Sequence, residues 1–169
     1  FYSSAADVPV RTQAAEALIA FANSGFDLGL ASIFFCNSGS EANENALKVA
    51  AKLSGRRKFV CFEGGWHGRG TLPLSVTDDP KITAPYSSFL APAETLPWNE
   101  VGALESCDFA EIAAVILEPI QSMSGIREAS PEFFAKLRER TAAARHRRAR
   151  GRALRPARPR RPGRARRRW

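Results

Sequence analysis

The chain has 169 residues, 44% apolar, 9% aromatic and 25% charged, enough for one domain with a core of its own. No apolar run approaches the ~20 residues of a membrane span. The formal charge of +8 is a poor guide to partners, because residues 145–169 hold 13 of the 25 basic residues and no acid; 12 basic and 17 acidic residues remain in 1–144, a net of −5. The body therefore reads as a mildly acidic globular chain with a basic tail attached. The first residue is Phe rather than Met, which reads as a chain cut at its start, and no basic-then-apolar leader opens it. Cys36, Cys61 and Cys107 are odd in number, form no CxxC pair, and two of them sit in apolar runs. Buried free thiols in a reducing, cytoplasmic setting fit that pattern best.

Residues 1–4 read as a loop or domain entry. Between Val10 and Phe21, Ala14, Ala17, Leu18 and Phe21 fall on one helical face, with Pro9 near the start and Asn23-Ser24-Gly25 as the stop. Ile33–Cys36 reads as a short strand. It stops at Asn37-Ser38-Gly39-Ser40-Glu41-Ala42-Asn43-Glu44, where a helix begins at once. Ser38 and Glu41 have capping-box spacing. Ala42, Ala46, Val49, Ala50 and Leu53 then recur at helical intervals, giving a small apolar face, and Ser54-Gly55 ends the helix.

Lys58–Phe62 reads as a buried strand that runs into Glu63-Gly64-Gly65-Trp66-His67-Gly68-Arg69-Gly70, a loop with four glycines. Residues 71–100 carry five prolines and little periodicity, which predicts a long irregular connection. Val101–Leu104 fits a short helical piece. Ala113–Leu117 is another continuous apolar run, closed by Glu118-Pro119-Ile120-Gln121-Ser122. Ser130-Pro131-Glu132 starts a helix with a good cap and an early proline, which Phe133, Phe134, Leu137 and the alanines after Thr141 continue.

Continuous apolar strands separated by helices predict an α/β fold, mainly a parallel sheet covered by helices. In such sheets ligands sit beyond the carboxyl ends of the strands. All three expected strands end in unusual chemistry, and parallel strands would bring those ends to one edge. The turn at Ser38 presents unpaired N–H groups and the positive end of a helix dipole, with no Cβ on Gly39 to block approach. Backbone amides plus the Ser40 hydroxyl could bind a phosphate there; an ordinary strand-to-helix turn is the plainer reading. Trp66 suits stacking on a flat ring or packing in the core. Arg69 is shaped to fork onto a carboxylate. His67 reads as a hydrogen-bonding structural group, with no second His at metal-ligand spacing. Glu118 would suit orientation of a ring or amine, or be a satisfied turn carboxylate.

Three ordered motifs carry a resemblance over about residues 1–140: Asn37–Glu44, Trp66-His67-Gly68-Arg69 and Glu118-Pro119-Ile120-Gln121. Together the chain resembles the class III aminotransferases, fold-type-I enzymes that use pyridoxal 5'-phosphate, as the acetylornithine and ornithine aminotransferases do. The resemblance implies that 1–144 is part of the large cofactor-binding domain. It implies that Gly39 and Ser40 bind the cofactor phosphate and that Trp66, where the family usually has Tyr or Phe, stacks on the pyridine ring. Glu118 would line the cofactor pocket, and Arg69 matches the position that contacts the substrate carboxylate in acetylornithine-type members. The substrates implied are a small-molecule amino donor and an oxo-acid or aldehyde acceptor, and the intact form implied is a homodimer. An aminomutase or a decarboxylating aminotransferase is another type within the class.

Two departures matter. Many ornithine-type members follow the Glu-Pro-x-Gln motif with Gly-Glu, and here the pair is Ser122-Met123, which argues against an ornithine-like substrate. The family's next strand carries an Asp that pairs with the pyridine nitrogen, and a later Lys forms the Schiff base; neither motif is present. Lys48, Lys52, Lys58, Lys81 and Lys136 lack that context, so no catalytic Lys is expected and this chain as given should be inactive. Residues 145–169 consist of Arg, Ala, Pro and Gly at 22 of 25 positions, the four amino acids whose codons can be built wholly from G and C. The tail begins where the family would continue toward its Asp-bearing strand, so it reads as a frameshifted segment in GC-rich DNA. The alternative is an arginine-rich arm that grips nucleic-acid backbones without sequence preference. Either way it has no apolar pattern and is expected to be disordered.

Overall fold

A computed structural model describes residues 8–25 and 28–153, with side chains described through 144. In chain order the elements are α1 (Pro9–Ser24), α2 (Gly39–Ser54), β1 (Lys58–Phe62), α3 (Thr71–Ser75), α4 (Pro80–Thr83), a 3₁₀ helix (Ala84–Phe89), β2 (Ala93–Leu96), α5 (Val101–Ser106), a 3₁₀ turn (Phe109–Glu111), β3 (Ile112–Val115), β4 (Ile120–Gln121), β5 (Arg127–Glu128) and α6 (Pro131–Ala153).

Local chemistry sets the helix ends. At α2 the Ser38 Oγ accepts the Glu41 N–H at 3.2 Å, and the Glu41 carboxylate reaches back to the Asn37 N–H at 2.7 Å. Gly55 closes the helix in the left-handed region, φ 66°, donating its N–H to Ala51 O at 2.8 Å. At α6 the Ser130 Oγ accepts the Phe133 N–H at 3.2 Å.

The sheet is parallel, in the order β2-β1-β3. Strand β1 is central, and its alternation sorts the core. Val60 and Phe62 pack with Leu96, Trp98, Leu104, Phe109, Ile112, Phe133 and Leu137 on the α5 and α6 side. Phe59 and Cys61 pack with Leu47 and Val76, and with the half-buried Ala51 and Leu72, on the α2 and α3 side. Phe62, Trp98 and Phe133 form a triangle of rings with centroids 5.3 to 5.7 Å apart, mostly edge-to-face.

Two expectations fail here. Ile33–Cys36 is not a strand: no ladder partner reaches it among the described residues, and Ile33, Phe34 and Phe35 are exposed. A strand exists by its pairing, and an apolar run alone does not supply it. The third strand is β2, inside the stretch 71–100 expected to be irregular. Ala93-Glu94-Thr95-Leu96 has no apolar run of its own and is extended because it pairs with β1 from Phe59↔Ala93 to Phe62↔Leu96. The same stretch also contains α3, α4 and the 3₁₀ helix, and the β4–β5 hairpin beyond Glu118 had no expected counterpart. Helix α1 forms as expected, although none of its residues is buried. Helix α6 continues to Ala153, nine residues past the boundary placed at 144; 154–169, the rest of the tail expected to be disordered, lie outside the described residues.

Candidate functional site

The loop 63–70 leaves the carboxyl end of β1 and lies against the first turns of α2. Three α2 side chains on one face hold it. Ser40 Oγ accepts the Gly70 N–H at 3.0 Å, Asn43 Nδ2 donates to His67 O at 2.9 Å, and Glu44 Oε2 accepts the Leu72 N–H at 2.9 Å. The approach is close enough to require glycine. A Cβ on Gly68 would stand 2.7 Å from the Ser40 Cβ and Oγ, at a φ of +117° that side chains rarely adopt. A Cβ on Gly70 would stand 3.1 Å from a Glu44 oxygen and 3.2 Å from the Ser40 Oγ.

The other end of the loop is tied to the segment after β3. The Trp66 N–H donates to Glu118 Oε1 at 2.7 Å. Buried Gln121 donates to Glu63 O at 3.0 Å, and Arg127 Nη2 bridges Glu63 O at 3.0 Å and Gln121 Oε1 at 2.7 Å. Ser124 Oγ donates to Gly64 O at 2.5 Å, and Asp78 accepts the Gly64 N–H at 2.8 Å. The β4–β5 hairpin thus fixes the first half of the loop as α2 fixes the second.

Ser40, Trp66 and Glu118 therefore meet through one loop, although residues 37–44, 64–70 and 118–121 are far apart in sequence. Gly39 sits in the open first turn of α2, with no atom from beyond its own turn of helix within 4 Å of where its Cβ would be. Arg69 is exposed and lies over the Trp66 ring, 5.6 Å from its centroid. His67 is 5% exposed, its Nε2 has no hydrogen-bond partner among the described residues, and burial holds its pKa below the usual 6.5 against a smaller upward pull from Glu118. The sequence suggested a hydrogen-bonding imidazole; the bond found here is from the backbone, the His67 N–H donating to Thr77 Oγ1 at 3.0 Å, while the ring Nε2 is unpaired among the described residues.

Several supporting residues escaped the sequence reading. Asn43 and Glu44 had a signal, three and four positions after Ser40 on the same helical face. Thr77 and Asp78 had none in spacing, because the groups they satisfy are backbone atoms of the loop 63–70 that only the fold brings beside them; Gln121 belongs to the Glu118–Gln121 motif, but its bond to Glu63 O was not readable from that motif. No group of His, Cys, Asp and Glu among the described residues could hold a metal ion. No described helix is long and apolar enough to cross a membrane.

Known proteins resemble this chain in sequence and fold. The family model described as "Aminotransferase class-III" matches residues 7–146, so the match stops at the start of the arginine-rich run. Over 107 residues the chain is 42% identical to the acetylornithine aminotransferase of Methanopyrus kandleri, covering 63% of this chain and 28% of that one. It is 41% identical over 109 residues to a [LysW]-aminoadipate semialdehyde/glutamate semialdehyde transaminase of Sulfurisphaera tokodaii, covering 64% and 28%. Among solved structures, the β-phenylalanine aminotransferase from Variovorax paradoxus superposes with a TM-score of 0.66 at 31% identity, over 83% of this chain and 31% of that one. An S-selective transaminase from Arthrobacter superposes at 0.72 with 20% identity, a likeness of fold. The chain spans between 28% and 37% of the length of these proteins.

Proposed function

The chain belongs to the class III aminotransferases, and we propose that it is the cofactor-holding part of an enzyme that moves an amino group from a small-molecule donor to an oxo acid or aldehyde. The cofactor of the class is pyridoxal 5'-phosphate. The residues present fit such a group. The open first turn of α2 offers the amides of Gly39 and Ser40, which an α-helix leaves without internal partners. Because Ser40 Oγ already accepts from Gly70, its own proton is free to be donated to an anionic oxygen. Trp66, the ring that would stack on the cofactor, has the Arg69 guanidinium 5.6 Å from its centroid, so the stacking ring and the cation that would take a carboxylate are neighbours. Glu118, pinned to the Trp66 amide through one oxygen, orients that end of the site with the other.

Bound there, pyridoxal phosphate supplies an electron sink at the carbon that gains or loses the amino group. The chain's own residues bind and orient: α2 holds the anion, Trp66 and Glu118 fix the ring plane, and Arg69 takes a substrate carboxylate. The lysine that carries the cofactor and the aspartate opposite its ring nitrogen have no counterpart in the motifs of this chain. Turnover is therefore assigned to the longer protein, as a homodimer in the cytoplasm. Free Cys36, Cys61 and Cys107 support a reducing setting, and exposed Phe21, Phe34 and Phe35 support an interface. We read 145–169 as an out-of-frame segment.

The observation that carries this reading is the meeting of Ser40, Trp66 and Glu118 on one loop. Its test is a titration with pyridoxine 5'-phosphate, which has no aldehyde to react with lysines, and with pyridoxine, both followed by saturation-transfer NMR of the ligand ring protons. Ser40→Ala is expected to weaken binding about tenfold, the value of one hydrogen bond to a charged group. Equal binding of pyridoxine with and without its phosphate would overturn the reading.

A further inference from the structure

The stretch 71–100 encloses, with Arg69, a cleft of about 690 Å³ between α3, α4 and the Ala84–Phe89 3₁₀ helix. Gly39, Ser40, Trp66 and Glu118 do not line it; Arg69 is the residue it shares with the candidate site. Leu74, Ile82, Tyr86 and Phe89 form apolar walls, Arg69 and Lys81 bring two cations, and no acid lines it. Among the described residues Lys48, Lys58 and Lys136 have carboxylate partners, whereas Arg69 and Lys81 have none. Tyr86 and Phe89 are 54% and 74% exposed, large aromatics held at a cleft rather than in the core. A concave apolar site with a few convergent polar groups is the usual form of a small-molecule pocket, and this volume is within the usual range of roughly 300–1,000 Å³.

We propose that this cleft takes the body of the substrate, and that the substrate is a carboxylate with an aromatic or branched apolar body. The inference rests on Arg69 facing the substrate, as in the function proposed above. The carboxylate pairs with the Arg69 guanidinium, whose place is set by the Trp66 ring. The body lies against Leu74, Ile82, Tyr86 and Phe89, and Lys81 adds positive potential at the rim. A substrate with a second, distal ammonium would meet two cations and no acid, an unfavourable match. The Ser122-Met123 pair, which supplies no acid either, points the same way.

The test titrates the full chain with 3-phenylpropanoate, 3-phenylpropanamide and 5-aminopentanoate, followed by ligand-detected saturation-transfer NMR. The acid is expected to bind at least tenfold more tightly than the amide, with no signal from 5-aminopentanoate. Arg69→Gln and Phe89→Ala, both at exposed positions that leave the core intact, are each expected to weaken the acid at least fivefold. Equal binding of acid and amide, or no effect of Phe89→Ala, would overturn the proposal. So would a chain that ignores the acid but loses self-association in sedimentation when Phe89 is replaced, which would make the cleft an interface between copies. Pyridoxine 5'-phosphate is titrated in the same samples. If it binds and the acid does not, only the cleft proposal falls; if the acid binds and it does not, the cofactor reading falls and the cleft stands.

Discussion

His67 shows at the scale of a residue how the site loop constrains its neighbours. Its imidazole folds under Gly65, whose Cβ would stand 3.1 Å from Nε2, so the ring occupies space that any other residue at 65 would fill. Burial opposes its charge, and Glu118 only partly offsets that. The unfolded chain, with the ordinary value of 6.5, therefore takes up a proton below that pH that the folded chain resists. This contribution to stability is complete above 6.5 and is lost as pH falls toward the lowered value. Urea midpoints at pH 7.5 and 5.5 should show a larger fall for the natural chain than for His67→Asn; equal falls would assign the pH response to other groups. Ser40 was readable in the sequence because a cap and a glycine mark a helix start. Thr77 and Asp78 were not, because what they satisfy is a loop backbone that only folding brings to them.

At the scale of elements, two helices read with the same rules take different roles. Helix α6 buries Phe133 and Leu137 against β1 and β3, and Arg140 donates to three carbonyls, those of Leu104, Glu105 and Cys107, at 3.1 Å each. Helix α1 buries no residue, and Asn23 near its end exchanges two hydrogen bonds with the backbone of Leu30. Phe133→Ala should therefore cost about 3–5 kcal/mol, the range for deleting a buried aromatic. Removing residues 1–25 should change stability by under about 1 kcal/mol, as expected for surface groups. Thermal unfolding of the two variants checks the contrast, and a large loss on removing 1–25 would mean that α1 packs against the body in solution. The apolar faces of α1 and α2 look alike in sequence, because periodicity shows which side of a helix is apolar and not whether anything covers it.

At the scale of the whole molecule, the charge is divided. The family match covers the acidic body and stops at 146, where the arginine-rich run begins. Reading the gene in another frame from about codon 144 should restore an Asp-bearing strand; its absence from both other frames would remove the frameshift reading. Deleting 145–169 should abolish any affinity for a polyanion such as heparin, since the remaining net charge is −5. Retained affinity would place a basic surface on the body instead. By itself the sequence determined the ends of α2, the strands β1 and β3, the start of α6 and the three motifs that Ser40, Trp66 and Glu118 belong to. Those signals are local: caps, a left-handed glycine, unbroken apolar runs and short motifs. Only the tertiary structure decided that Ile33–Cys36 lacks a partner, that Ala93–Leu96 gains one, and that a proline-rich connection folds around a cleft. Strand pairing and cavity shape depend on what lies beside a segment in space, and no local pattern encodes that.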